Sequence, residues 1–197
     1  MYRRDLDPDP IAQFSVWLDD ARESGAIDAT SMALATAGAN GHPSARIVLL
    51  KHFDAEGFCW YTDSRSQKGQ QLAENPNAAL LFHWRDLNRQ VRIVGTVDAL
   101  PHEAADEYFY SRPVGSRFSA AASEQTTEIQ DRATLEQRVA ELHATYPTDD
   151  VPRPSAWIGY RLRPIEFEFW QGKVNRLHDR IVYLSSDGAW SMIRRSP

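Results

Sequence analysis

Two guanidiniums and an imidazole recur at alternate positions in Arg176-Leu177-His178-Asp179-Arg180. Side chains alternate across a strand, so a strand here puts Arg176, His178 and Arg180 on one face and Leu177, Ile181 and Tyr183 on the other. Three such groups side by side repel one another unless something anionic or electron-rich lies against them, with His178 as hydrogen-bond donor or proton carrier. A charged edge strand that discourages aggregation carries the same pattern. The aromatic bulk of Glu168-Phe169-Trp170-Gln171-Gly172 just upstream favours the first reading.

Further cations lie on or beside strands. Arg46 and Lys51 bracket Ile47-Val48-Leu49-Leu50 and would reach out at two rims of a barrel, or simply snorkel. Tyr61-Thr62 is followed by Arg65-Ser66-Gln67-Lys68-Gly69, hydroxyls and cations ahead of a helix N-terminus, which favours phosphate. An ordinary helix cap has the same composition. Gln90, in Arg89-Gln90-Val91-Arg92, offers an amide either to a heterocycle edge or to water. Tyr108, Arg112 and Ser116 place a phenol, a guanidinium and a hydroxyl at the end of one helix, although Arg112-Pro113 also terminates helices. Together these sets describe two anion pockets and an aromatic platform, as a phosphorylated flavin beside a phosphorylated substrate requires.

The elements that must position these groups are mostly strands. Met1 to Asp7 is charged and expected to be mobile. Asp7-Pro8-Asp9-Pro10 starts a helix with the stripe Ile11, Phe14, Trp17 and Leu18, ended by Gly25. Strands follow at Ser31–Ala37, Ala45–Phe53 and Phe58–Thr62, with Asn40-Gly41 as a hairpin turn. Ser66–Asn75 is a short helix stopped by Pro76, and Ala78–Trp84 and Arg89–Leu100 are strands. Pro101 opens a helix to about Ser111, and Arg112–Ala122 is a loop or a short helix. Glu128–Tyr146 is an amphipathic helix with Ile129, Leu135, Val139 and Leu142 on one face. After the prolines of 147–154 come Ala156–Arg163, Ile165–Trp170, Asn175–Leu184 and a last strand around Ala189–Arg194, with Asp187-Gly188 as the final hairpin. Strands joined by hairpins, with helices inserted, point to a mainly β fold: an antiparallel barrel flanked by helices.

At 197 residues the chain suits one domain, 1–197, with a sizeable core. A formal net charge of -5 argues against a nucleic-acid partner, so a basic site must be local and suits a small anion. The single cysteine, Cys59, forms no internal disulfide, which places the chain in a reducing cytoplasm, and its apolar neighbours Phe58, Trp60 and Tyr61 mark a buried inert thiol. There is no signal peptide and no long apolar run, so no membrane association is expected. No GxGxxG follows a strand and no GxxxxGK[ST] occurs, which excludes Rossmann and P-loop sites. No HExxH, no CxxC pair and no histidine pair at ligand spacing occurs, so no metal is expected.

The chain resembles the pyridoxamine 5'-phosphate oxidase family along almost its whole length. The matching segments are Arg46–Lys51 (RIVLLK), Tyr61-Thr62, Ser66–Gly69 (SQKG), Asn75-Pro76, Trp84, Arg89-Gln90-Val91, Tyr108–Pro113 (YFYSRP), Val151–Pro154 (VPRP) and Glu168–Arg180 (EFWQG…RLHDR). The resemblance implies an FMN-binding split β-barrel, a homodimer with FMN at its interface, and oxidation of pyridoxamine or pyridoxine 5'-phosphate to pyridoxal 5'-phosphate with O2 as acceptor and hydrogen peroxide as product. Carried over by position, the FMN contacts are Arg46, Ile47, Val48, Lys51, Tyr61, Thr62, Lys68, Gln90, Gln125, Thr126, Trp170 and Arg180. The substrate phosphate falls to Lys51, Tyr108, Arg112 and Ser116, and the catalytic pair Arg176 and His178 flanks the pyridine ring, with Asp28 near the same ring. The sequence departs from the family pattern in places. Gln67 stands for a frequent Arg, Thr126 for Ser, Ile158 for Gly, and Arg195 for an apolar residue; the N-terminal Arg-x-x-Tyr that covers the substrate in many members is not evident. Two alternatives share the fold or the ligand: a phenazine-biosynthesis-type flavin oxidase, and a non-catalytic flavin or pyridoxal-phosphate binding protein. An unphosphorylated tricyclic substrate has no use for the set Tyr108, Arg112 and Ser116.

Overall fold

The computed structural model describes all residues 1–197. Helix α1 (Pro10–Glu23) starts where Asp9 accepts a hydrogen bond from the Ile11 amide and Pro10 takes the first helical position. It buries Phe14, Trp17, Leu18 and Ala21, and Gly25 follows it at φ +77. Strands β1 (Ser31–Ala37), β2 (Pro43–Leu49), β3 (His52–Asp54) and β4 (Gly57–Asp63) come next. Helix α2 (Gln67–Glu74) is capped by Ser66 and precedes β5 (Asn77–Trp84) and β6 (Arg89–Ala99). Helices α3 (His102–Ser111), α4 (Val114–Ala122) and α5 (Arg132–Thr145) then lead to β7 (Trp157–Gln171), β8 (Asp179–Ser186) and β9 (Ala189–Arg194).

All nine strands form one antiparallel sheet in the order β2-β1-β5-β6-β7-β4-β3, with β8 and β9 branching from β7. The strands β2 and β3 sit at opposite edges, yet only Leu50 and Lys51 separate them in the chain. Two residues cannot span an open sheet, so the sheet must curl until its edges meet. The result is a mostly β, curled antiparallel split barrel flanked by helices. Ala45–Phe53 is therefore two strands and not the single one expected: the Leu50 amide donates to Thr30, just before β1, and the Lys51 amide to Cys59 of β4, β1 and β4 being the strands that neighbour the two edge strands. Phe14 plugs the barrel, its ring 4.9 Å from both Phe58 and Phe82 and 5.1 Å from Phe53. Cys59 is fully buried and its thiol is pushed up to about 12 by that burial, as an inert core thiol requires.

Four other expectations are corrected. The break at Pro164 does not occur, and β7 runs straight through it. Pro164 faces Gly95, where the register of β6 shifts, so the missing N–H falls at a bulge that asks for no donor. Helix α5 begins at Arg132, after Ile129, because Asp131 caps it through the Thr134 amide, and none of its residues is buried. Met1–Asp7 is not free: Arg3–Asp5 form a 3-10 turn, and Tyr183 donates to the Asp7 carbonyl at 2.6 Å. Finally, Asn175–Leu184 is not a strand from its start, because Val174–Arg176 form a turn with Asn175 and Arg176 at φ +57 and +61.

The loop before α2 has no room for a methyl group. A Cβ on Gly69 would lie 2.2 Å from the Ser64 carbonyl oxygen, which is backbone and cannot swing away. Gly69→Ala is expected to lower Tm by about 5 °C, from overpacking of roughly 1–3 kcal/mol, as read by thermal melting.

Candidate functional site

A cavity of about 920 Å³ opens between the sheet edge and the helices α3 to α5. The curl that joins the two sheet edges delivers Arg46, Ile47, Val48 and Lys51 to the same wall. Arg46 and Lys51 thus converge and do not project from two rims. From β4 and α2 come Tyr61, Thr62 and Lys68, and from α3, its C-terminus and the chain beyond α4 come Tyr108, Arg112 and Gln125. Trp157, at the start of β7, completes the wall and was not among the expected site residues. The apolar face of α5, through Leu135 and Val139, also lines this cavity, which is why it reaches no core.

Four cations on this wall differ from most of the half-buried arginines elsewhere on the chain. Arg65, Arg89, Arg153 and Arg163 each pair with an aspartate at 2.6–2.7 Å. Arg46, Lys51, Lys68 and Arg112 pair with no carboxylate, and the one acid on the wall, Glu136, is engaged by Arg132. Arg46 donates instead to Thr36 Oγ1 at 2.6 Å, the Leu34 carbonyl at 3.1 Å and Ser44 Oγ at 2.5 Å. Gln71 Oε1 ties Thr36 and Ser44 together by accepting from both, at 2.6 and 2.7 Å. Lys68 Nζ donates to Thr62 Oγ1, Ser66 Oγ and Gln125 Oε1 at 2.9–3.0 Å. Burial, then the nearby Arg46 charge, pushes the Lys68 ammonium down to about 8. Burial also lowers Arg46 and Arg112 from their usual range, and Arg112 Nη1 is buried with no hydrogen-bond partner. Half-buried cations whose partners are all neutral lack the anion that would offset their desolvation. A ligand bearing phosphate fits that donor set.

Thr126 follows Gln125 at φ +73, a strained conformation for a β-branched residue, and its hydroxyl accepts from the Gln67 amide at 3.3 Å. Ser116 lies on α4, outside the cavity wall, one turn before the lining residue Ser119. Asp28 sits in the turn before β1 at φ +53 and does not line the cavity.

The remaining expected residues form a second group at the far end of β6, β7 and β8. Gln90 pairs with Trp170 across the ladder, and Trp170 with Arg180. The His178 ring lies 4.6 Å from that of Trp170. The shared strand face expected for Arg176, His178 and Arg180 is replaced by a turn that ends in β8, closed by the Lys173 amide donating to His178 Nδ1 at 3.1 Å. Arg176 is exposed at its left-handed backbone position. Arg180 donates to the buried Glu168 at 2.7 Å and to the Ser196 carbonyl at 2.9 Å, while its Nε is buried without a partner. None of the residues of this second group lines the cavity.

Residues 18–146 match the family described as pyridoxamine 5'-phosphate oxidase, and residues 157–197 match the pyridoxine 5'-phosphate oxidase C-terminal dimerisation region. The chain is 50% identical over 194 residues to the pyridoxine/pyridoxamine 5'-phosphate oxidase of Janthinobacterium sp. (strain Marseille), covering 98% of this chain and 92% of that one. It is 52% identical over 194 residues to the protein of the same name from Paraburkholderia phymatum, covering 98% and 91%. The crystal structure of PhzG from Burkholderia lata 383, in complex with tetrahydrophenazine-1-carboxylic acid, superposes with a TM-score of 0.94 at 32% identity, over 100% of this chain and 98% of that one. A pyridoxamine 5'-phosphate oxidase-related, FMN binding protein from Nostoc punctiforme shares the fold, with a TM-score of 0.77 at 18% identity over 98% and 100%. No helix is long and apolar enough to cross a membrane. On these matches, which span nearly all of its length, the chain belongs to the pyridoxamine 5'-phosphate oxidase family.

Proposed function

We propose that the protein oxidises pyridoxamine 5'-phosphate or pyridoxine 5'-phosphate to pyridoxal 5'-phosphate, as a homodimer that holds FMN, with O2 taking the electrons and leaving as hydrogen peroxide. The carrying observation is that four of the five cations on the cavity wall pair with no carboxylate, in a chain of net charge -5. Bound FMN would supply the two-electron acceptor that no amino-acid side chain offers. Arg46, Lys68, Thr62 and Gln125, with Thr126 beside them, would hold the cofactor phosphate through charge-assisted hydrogen bonds. Ile47, Val48 and Tyr61 would supply apolar surface for its ring.

Lys51, Tyr108 and Arg112, with Ser116 nearby, would bind the substrate phosphate. The second group, Gln90, Trp170, Arg176, His178 and Arg180, would come from the other copy in the dimer. Two features support this arrangement: the dimerisation-region match at residues 157–197, and the exposed apolar residues Ile47 and Leu49 on an edge strand beside the cavity. Oxidation at the substrate C4' removes two electrons and two protons; with the amine substrate, water then releases ammonia. Arg176 would orient the substrate from its raised turn. His178 accepts a hydrogen bond at Nδ1, so its neutral form carries the proton on Nε2 and presents a donor there. The buried unpaired thiol of Cys59 supports a reducing, cytoplasmic setting, and residues 1–197 would act as one unit.

The test is direct. Purified protein should be yellow and should produce pyridoxal 5'-phosphate and peroxide in equal amounts from either substrate in air. No turnover of either would end the proposal. The likeness to PhzG favours a second reading, oxidation of a reduced phenazine carboxylate. Turnover of that substrate class with none of the phosphorylated vitamers would select it. A protein that only stores its ligand would keep its flavin oxidised when mixed with substrate under anaerobic conditions.

A further inference from the structure

Tyr61, Tyr108 and Trp157 form a near-parallel aromatic cluster on the cavity wall. The centroids of Tyr61 and Tyr108 are 4.2 Å apart, those of Tyr61 and Trp157 5.4 Å, and those of Tyr108 and Trp157 6.0 Å, with interplanar angles of 9–21°. The Arg112 guanidinium carbon lies 5.0 Å from the Trp157 centroid and 6.0 Å from that of Phe109. Arg112 sits between α3 and α4 in extended backbone conformation, with no ion pair and with Nη1 buried and unpartnered. What holds its guanidinium is therefore aromatic surface.

Trp157 itself is rigidly seated. It is 4% exposed and pairs with Asp63 across β4. Its amide donates to the Pro154 carbonyl at 2.9 Å, and its own carbonyl accepts from Arg153 at 2.7 Å. Arg153 in turn binds Asp106 of α3 at 2.7 Å, so the ring and the helix that leads to Arg112 are tied together. A carboxylate could also steady Arg112, but it would cancel the charge that a phosphate needs. An aromatic face fixes the plane of the guanidinium and leaves both its charge and its edge donors available.

We infer that Trp157 is a positioning residue that holds Arg112 flat and uncompensated for the phosphate of the substrate. The inference rests on the oxidase reading above. It separates two roles that burial alone merges: filling space, and presenting a negative π-face to a cation.

The experiment compares Trp157→Leu, Trp157→Phe and a chain carrying pentafluorophenylalanine at 157, a ring shaped like Phe with its quadrupole reversed. The readouts are KM and kcat for pyridoxine 5'-phosphate, the competitive inhibition constant of inorganic phosphate, flavin content and Tm. In Trp157→Leu, KM and the phosphate inhibition constant are expected to rise roughly tenfold with kcat within about twofold, while Trp157→Phe stays within about threefold of the parent. The pentafluoro ring is expected to behave like Leu in KM and like Phe in Tm. If the Leu variant does not fold, the Phe and pentafluoro pair decides alone. Equal KM for that pair, or a KM that only tracks the loss of Tm, overturns the inference. Arg112→Ala separates the levels: if it raises KM while the Trp157 variants do not, only the role of Trp157 is lost, and if it too leaves KM unchanged, the phosphate clamp itself is wrong.

Discussion

Lys68→Met is expected to yield a colourless protein whose FMN dissociation constant has risen about 100-fold, from the loss of a charge-assisted contact in a desolvated site. Flavin fluorescence quenching would measure it. The Lys68 ammonium is held by three neutral oxygens, and its nearest compensating acid, Asp63, is already engaged by Arg65. A phosphate would be the first full negative charge it meets. The pH dependence follows from its lowered pKa of about 8 against 10.5 for a free lysine. The folded-state value is depressed, so the ligand-free protein gains stability as pH rises between these two values, where only the unfolded chain still binds the proton. Binding of a dianionic phosphate runs the other way, because it requires the charged ammonium. Affinity for FMN should therefore fall as pH rises above about 8, with a limiting slope of about one log unit per pH unit for one linked proton. That slope should vanish in Lys68→Met. A flat profile in the parent protein would show that Lys68 does not face the phosphate.

Arg112→Ala should raise KM for pyridoxine 5'-phosphate about 100-fold and leave kcat within about threefold, since the phosphate lies remote from the reacting carbon and its binding is mostly uniform between ground and transition states. Steady-state kinetics on the flavin-loaded enzyme would read both constants. Flavin content should not change, because the cofactor phosphate falls to Arg46 and Lys68. A loss of flavin in Arg112→Ala would place this guanidinium on the cofactor and not on the substrate. An unchanged KM would favour a substrate with no phosphate, as PhzG in its crystal complex suggests.

Much of the architecture was legible from local chemistry. Asp9-Pro10 opens α1, Ser66 caps α2, and Asp187-Gly188 turns β8 into β9 with φ of +52 and +77, each a short-range stereochemical demand met by the residue type present. The strands β1 and β5 were legible as strands, and burial alternates along both, because period 2 is a property of the strand itself. The errors lie where a distant partner overrules the local signal. Pro164 breaks a strand in isolation but not beside a bulge of β7 itself, where Ile165 has no partner in β6. Leu135 and Val139 look like a core-facing stripe, yet they face a cavity, since periodicity shows that a face is apolar and not what it covers. Arg176 and His178 alternate like strand residues, but the left-handed turn at Asn175 and Arg176 precedes the point where β8 can pair with β7.

By itself the sequence determined the kinds of element, the mainly β class, the family, and the residue types able to hold phosphate. Only the tertiary structure decided that Arg46 and Lys51 share one cavity, that Trp157 backs Arg112, and that the Arg176–Arg180 group does not line that cavity. The physical reason is the curl. A two-residue link between opposite edges closes the sheet on itself, and contacts created by closure join positions whose separation no local periodicity encodes.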